Sequence, residues 1–167
     1  MKSKTSARDE VNLDLELLDA ALRYEEHALT ELRVAGLRIT MPRVQVVRAL
    51  ADAEFAMSAY AIHDKIMKAG GKIDVVSVYR ILSTLLDLGI VHRIGLVDGY
   101  FPARIFDPQE RTTQVVVCER CQRVHELATS AALVEMLRGQ GKPANLPMTS
   151  IKVELTCSNC PRCQKRA

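Results

Sequence analysis

Residues 74–106 read DVVSVYRILSTLLDLGIVHRIGLVDGYFPARIF, and the architecture follows from them. Asp74 has the side chain of a helix N-cap, and behind it Val78, Ile81, Leu82, Leu85 and Leu86 fall on one face of a 3.6-residue period. Gly89 supplies the left-handed residue that stops such a helix. Ile90–Ile94 and Tyr100–Phe106 then read as strands, joined through Asp98-Gly99, a strong short-range hairpin signal. Upstream, Thr40 stands as cap before Pro42, Val44, Val47 and Leu50. Ser58 stands before Ala59, Ile62, Ile66 and Met67, a run that Gly70-Gly71 ends. Three helices followed by a hairpin is the order of a winged helix-turn-helix, in which the last helix enters a major groove.

The face of that helix opposite its apolar stripe carries Val76, Arg80, Ser83 and Asp87, with Tyr79 and Thr84 on the flanks. Tyr79 offers a flat ring for thymine methyls and a hydroxyl. Arg80 offers a fork for phosphate or guanine, and Ser77 can bond a phosphate near the helix N-terminus. An ordinary solvated face is the competing reading. Residues 31–95 hold nine Lys/Arg and six Asp/Glu, so the chain's net charge of +3 can be placed there. So modest an excess favours phosphate binding chiefly when a homodimer doubles the contacts on two half-sites.

Ahead of this unit, Leu13, Leu17, Leu18, Ala21, Leu22, Leu29 and Leu32 predict an amphipathic helix over 10–34, with a break near Glu25 left open. It would pack on the next domain or on a second subunit. The expected organisation is an N-terminal extension over 1–28, a winged-helix DNA-binding domain over 29–95 and a dimerisation and zinc-binding domain over 96–167.

Composition agrees with a folded chain of one or two small domains: 167 residues, 48% apolar, 26% charged and no Trp. Apolar runs are too short to span a bilayer, and Asp9, Glu10, Asp14 and Glu16 interrupt the N-terminus where an export signal needs an unbroken apolar segment. The expectation is a cytoplasmic protein with no membrane partner, in a reducing compartment where five cysteines need a reason other than disulfides. A glycine-rich phosphate cradle and a nucleophile with a paired base are both missing, so the chain reads as a non-enzyme.

Cys118-x-x-Cys121 and Cys157-x-x-Cys160 have identical internal spacing and are separated by residues 122–156. Four thiolates supply the soft tetrahedral shell that Zn2+ prefers. A thioredoxin-like redox pair competes, but it would leave the second pair idle. Cys163 is left over as a free thiol on a basic tail. Strands at 123–127 and 150–155 around a helix at 131–137, flanked by Val115, Val116, Val117, Ile151, Val153 and Leu155, make a small α/β module able to present a dimer interface. The fold class is therefore α+β: an N-terminal winged helix-turn-helix domain followed by a small α/β dimerisation domain with a four-cysteine structural zinc site. A zinc-stapled dimeric protein-binding adaptor is the alternative from another class.

Gly36-Leu37-Arg38-Ile39-Thr40-x-Pro42-Arg43, then Ser77-Val78-Tyr79-Arg80, then two CxxC pairs together resemble the ferric uptake regulator family over roughly residues 29–163. The resemblance implies a dimeric, metal-responsive repressor of transcription acting on double-stranded DNA. It implies that Tyr79 and Arg80 read bases and bind phosphate, that Arg33 and Arg38 approach the DNA backbone or minor groove, and that Cys118, Cys121, Cys157 and Cys160 hold structural zinc. Gly89-Ile90-Val91-His92-Arg93, Ile105-Phe106-Asp107 and Thr112-Thr113 look most like the zinc uptake regulator branch. In that branch a second, regulatory divalent ion sits between the domains on His, Cys, His and Glu. His92 and Glu126 stand at the first and last of these positions, but Ala103 and Arg111 stand at the other two. His125, Asp107 and His63 are the candidates to complete the shell. An ion there would close the hinge near residues 92–107. The remaining alternatives are DNA binding without metal control and a thiol signal through Cys163.

Overall fold

The computed structural model of the chain describes residues 7–105, 112–141 and 151–164. Helices α1 (Ala7–Val34), α2 (Met41–Ala51), α3 (Ala59–Lys68) and α4 (Val75–Asp87) precede the hairpin β1 (Val91–Ile94) and β2 (Gly99–Pro102). Then come β3 (Thr112–Cys118), β4 (Val124–Leu127), α5 (Ala131–Gly141), β5 (Ile151–Cys157) and the short α6 (Pro161–Gln164).

Helix α1 runs through Glu25 without a break, and the Glu25 carboxylate accepts a 2.7 Å bond from Arg48 Nε on α2. Tyr24, Ala28 and Leu32, one turn apart, are fully buried, while Leu18 and Leu22 face solvent. The last turns of α1 thus belong to the core of the helical lobe, and residue 28 lies inside one continuous helix.

The helix starts follow the expected chemistry at two of three positions. Ser58 accepts the Ala61 N–H and Asp74 the Ser77 N–H. Thr40 is the N-cap of α2 but its side chain caps nothing; Pro42, which fits a helix's first turn, fixes that start instead. At the far end of α4, Gly89 takes φ +71°, and the Ile90 N–H returns to the Leu85 carbonyl at 2.9 Å.

The hairpin is shorter than expected. β1 and β2 pair from Val91 opposite Pro102 to Ile94 opposite Gly99, through a 3-10 turn at Gly95–Val97 and a left-handed Asp98. The ladder ends at Pro102; the Ala103 N–H still donates to the Ile90 carbonyl at 3.0 Å, and the next two amides, those of Arg104 and Ile105, go to Glu126. Phe106, the expected end of that strand, lies outside the described residues, as do Asp107 and Arg111.

The C-terminal sheet has the order β4-β3-β5, with β3 antiparallel to β4 and parallel to β5. The parallel pair requires a crossover, and the crossover contains α5. This sheet packs on the hairpin: Ile94 and Phe101 share one buried cluster with Val115, Val117 and Val124. Residues 54–57 thread between, Met57 bridging to Tyr100 and Phe55 to Arg123. Among the described residues no helix is long and apolar enough to cross a membrane.

Candidate functional site

Three sites follow from these elements. The first is the solvent face of α4. Val78, Leu82 and Leu85 are buried in the helical core, which turns Val76, Tyr79 and Arg80 outward. Tyr60 of α3 meets Tyr79 edge to face, ring centres 6.3 Å apart and planes at 85°. Both rings are exposed, Tyr60 at 63% and Tyr79 at 44%. Tyr60 escaped the sequence reading, although a large aromatic off the apolar stripe of α3 was the available signal. Arg33, in the last turn of α1, and Arg38, after it, lie outside the core. Ser77 has a different occupation: its hydroxyl donates to Asp74 Oδ2 at 2.6 Å, so its proton already serves the cap. That bond, with the Ser77 N–H, holds the Asp74 carboxyl below its ordinary range.

The second site is the thiol cluster. All five cysteines are free and gather at the end of the C-terminal sheet. The sulfurs of Cys118, Cys121, Cys160 and Cys163 all lie within 4.8 Å of one another. Cys118 to Cys163 and Cys160 to Cys163 are 3.7 Å, and Cys121 to Cys160 is 3.6 Å. A tetrahedron of sulfurs about 2.3 Å from zinc has edges of about 3.8 Å, so the quartet fits the ion. Burial alone would raise the Cys118 thiol, but the backbone N–H groups of Cys121, Cys160 and Arg120, helped by the Cys121 thiol, bring it down to about 6. Cys163, facing the Cys121 thiol and buried, is pushed up to about 12. A divalent cation would displace the protons from all four.

This quartet shares Cys118, Cys121 and Cys160 with the expected ligand set and differs from it in the fourth thiol. Cys157 packs against the cluster but is not one of the four, and Cys163, expected free, is. Cys157 ends β5 paired with Cys118 and so lies beside the quartet, while Cys160 and Cys163 lie at the two ends of one helical turn. Their three-residue spacing there puts both sulfurs on one side. The sequence offers two overlapping CxxC pairs, 157/160 and 160/163, and the turn after β5 brings the sulfurs of the second within 4.8 Å of Cys118 and Cys121.

The third site is the seam between hairpin and sheet, where the structure brings His92 and Glu126 together: His92 Nε2 and Glu126 Oε1 are 2.7 Å apart, both largely buried. Glu126 Oε2 accepts from the Arg104 N–H at 2.7 Å and the Ile105 N–H at 3.0 Å. Ala103, buried beside them, offers no ligand atom. His125 is adjacent to Glu126 in β4 and so points to the opposite face, while His63 lies on α3 beside Asp64. Among the described residues, the thiol quartet is the one group of three or more His, Cys, Asp or Glu ligand atoms within mutual reach.

A winged helix with an exposed aromatic and basic face, joined to a small sheet that carries a tetrahedral thiol cluster, defines a class of two-lobed proteins with one lobe to present a helix and one to hold an ion. Within that class the chain belongs to the ferric uptake regulator family, whose model matches residues 34–156. It is 32% identical over 91 residues to the zinc uptake regulation protein of Escherichia coli strain K12, an alignment covering 54% of this chain and 53% of that one. The chain thus spans about half the length of that curated relative. It is 27% identical to the ferric uptake regulation protein of Legionella pneumophila over 136 residues, 80% of this chain and 96% of that one. Among solved structures it resembles a zinc uptake regulator complexed with zinc and DNA, with TM-score 0.77 and 23% identity, over 87% of this chain and 96% of the other. Holo XcZur matches at TM-score 0.61 and 27% identity, over 74% and 86%.

Proposed function

We propose that this protein is a dimeric, sequence-specific DNA-binding regulator of transcription, acting as a repressor in the cytoplasm and catalysing no reaction. A single structural Zn2+ on Cys118, Cys121, Cys160 and Cys163 staples its sheet lobe. Residues 29–95 are the DNA-binding unit, 96–167 the dimerisation unit, and 1–28 an extension whose end is built into the first.

The observation that carries this reading is the outward face of α4, where Tyr79, Arg80 and Val76 stand clear of the core with Tyr60 against them. Tyr79 and Tyr60 supply apolar contact for thymine methyls, and Arg80 a charged fork. Arg33 and Arg38 add phosphate contacts beside them. Two solved relatives support the reading, a zinc uptake regulator held with DNA and holo XcZur.

The test is binding of the full-length dimer to duplexes selected from a random pool, read by fluorescence anisotropy across a salt series. A pseudo-palindromic consensus is expected. Arg80→Ala should lower the salt slope by about 1, and Tyr79→Ala should cost about 1–3 kcal/mol and relax base preference. A pool that yields no consensus, with both variants binding like the parent, overturns the reading.

A further inference from the structure

The position at which the family's zinc branch holds its regulatory ion does not fit an ion in this chain. Two ligand types are present, His92 and Glu126, and the third position is Ala103, whose side chain is a methyl group. Both oxygens of Glu126 are already engaged by three donors, His92 Nε2 and the N–H groups of Arg104 and Ile105. A cation would have to displace those donors and would find, among the described residues, two ligands in exchange, fewer than the three or four that a protein zinc site supplies.

What stands there instead is self-sufficient. In the sheet register Val115 lies opposite Glu126 on one side and opposite Glu154 on the other. Directly paired residues project from the same face, so Glu126, Val115 and Glu154 form one row across β4, β3 and β5. Val115 packs on Ile94 and Phe101 of the hairpin. The carboxylates beside it grip the hairpin at both ends, each by two consecutive backbone amides. Glu126 takes those of Arg104 and Ile105, after β2, and Glu154 takes those of Gly95 and Leu96, after β1, both at 2.9 Å. The positive charge is built in as well. The Arg104 guanidinium, attracted to Glu126, lies over the Phe101 ring at 5.1 Å and donates to the Ala51 and Ala53 carbonyls at the end of α2.

We propose that the seam between the winged helix and the sheet lobe is a permanent, metal-free clamp, in which the Glu126–Val115–Glu154 row and Arg104 do the work of an interlobe ion. The lobes are then held together whether or not free divalent metal is present, and the protein's metal dependence resides in the thiol cluster. The consequence for DNA affinity rests on the regulator reading above. The clamp itself does not, and its test uses no DNA.

The full-length dimer carrying its thiol-bound zinc is titrated with Co2+ alone, and amide exchange is followed at residues 95, 96, 104 and 105. The expected result is no Co2+ spectrum from nitrogen and oxygen ligands at micromolar metal, and unchanged exchange on metal addition. Glu126→Gln should speed exchange at Arg104 and Ile105 by about tenfold or more, and Glu154→Gln should do so at Gly95 and Leu96. Should Glu126→Gln fail to fold, Glu154→Gln reads the other end of the same row. A Co2+ ion that binds the parent and is lost in Glu126→Gln overturns the proposal, as does exchange that neither substitution changes.

Discussion

The thiol cluster and the seam each collect side chains that bind metals in other proteins, yet only one of them is built for an ion. At the thiol cluster the four sulfurs face one another at tetrahedral spacing, and what points at them from the backbone are N–H groups that favour thiolate. Amide dipoles cannot neutralise several thiolates at once, so a cation completes the shell. At the seam the carboxylate of Glu126 is met by a histidine and two amides, with an arginine close by. That shell is complete without an ion. Residue identity therefore nominates a metal site, but the partners its ligand atoms already have decide whether it is one.

The largest break in this comparison should come from Cys118→Ser. It removes a sulfur from the quartet and should abolish tight zinc binding and cooperative unfolding of the sheet lobe, since structural zinc contributes on the order of 10 kcal/mol in small modules. Zinc content with thermal unfolding reads this out. A full equivalent of zinc in a normally melting variant would show that the cluster does not need its ion. Next comes Phe101→Ala at the seam. Phe101 is 1% exposed between hairpin and sheet, so truncation should cost about 3–5 kcal/mol in chemical denaturation, while zinc content stays the same.

A finer cut separates the two overlapping cysteine pairs. Cys163→Ser should weaken zinc, measured by competition with a chromophoric chelator, by more than about a hundredfold, and Cys157→Ser by about tenfold or less. The reverse order would return the fourth ligand to Cys157. The smallest effect concerns acid. Burial would raise the Glu154 carboxyl, but the Gly95 N–H, Lys152 and the Leu96 N–H outweigh it and hold the group below its ordinary value of 4.5. A depressed folded value means that the contribution is complete above 4.5 and is lost as pH falls through the lower, folded value. The stability gap between the parent and Glu154→Gln should thus be constant near neutrality and close in that acid window. A gap that widens on acidification would contradict the clamp's electrostatics.

Much of this was legible in the chain. The caps at Ser58 and Asp74, the stop at Gly89 and the apolar face of α4 are local signals, and the structure puts each where the pattern expects it. Cys118, Cys121 and Cys160 were visible by spacing, and His92 and Glu126 were named as a pair. Missed were Tyr60, Arg104, Glu154 and the place of Cys163 within the thiol quartet. None of these follows a local period. Tyr60 matters because α3 and α4 cross, and Glu154 because β5 pairs in parallel with β3 and brings residue 154 level with residue 126.

By itself the sequence determined the helices, the hairpin, the two-lobe plan and the presence of a thiol-rich corner, because periodicity, capping and CxxC spacing act over a few residues. Tertiary structure alone decided which cysteine completes the quartet and what Glu126 holds. Both depend on strand register and on competition for a limited number of hydrogen-bond donors across the lobes, quantities that no single stretch of chain contains.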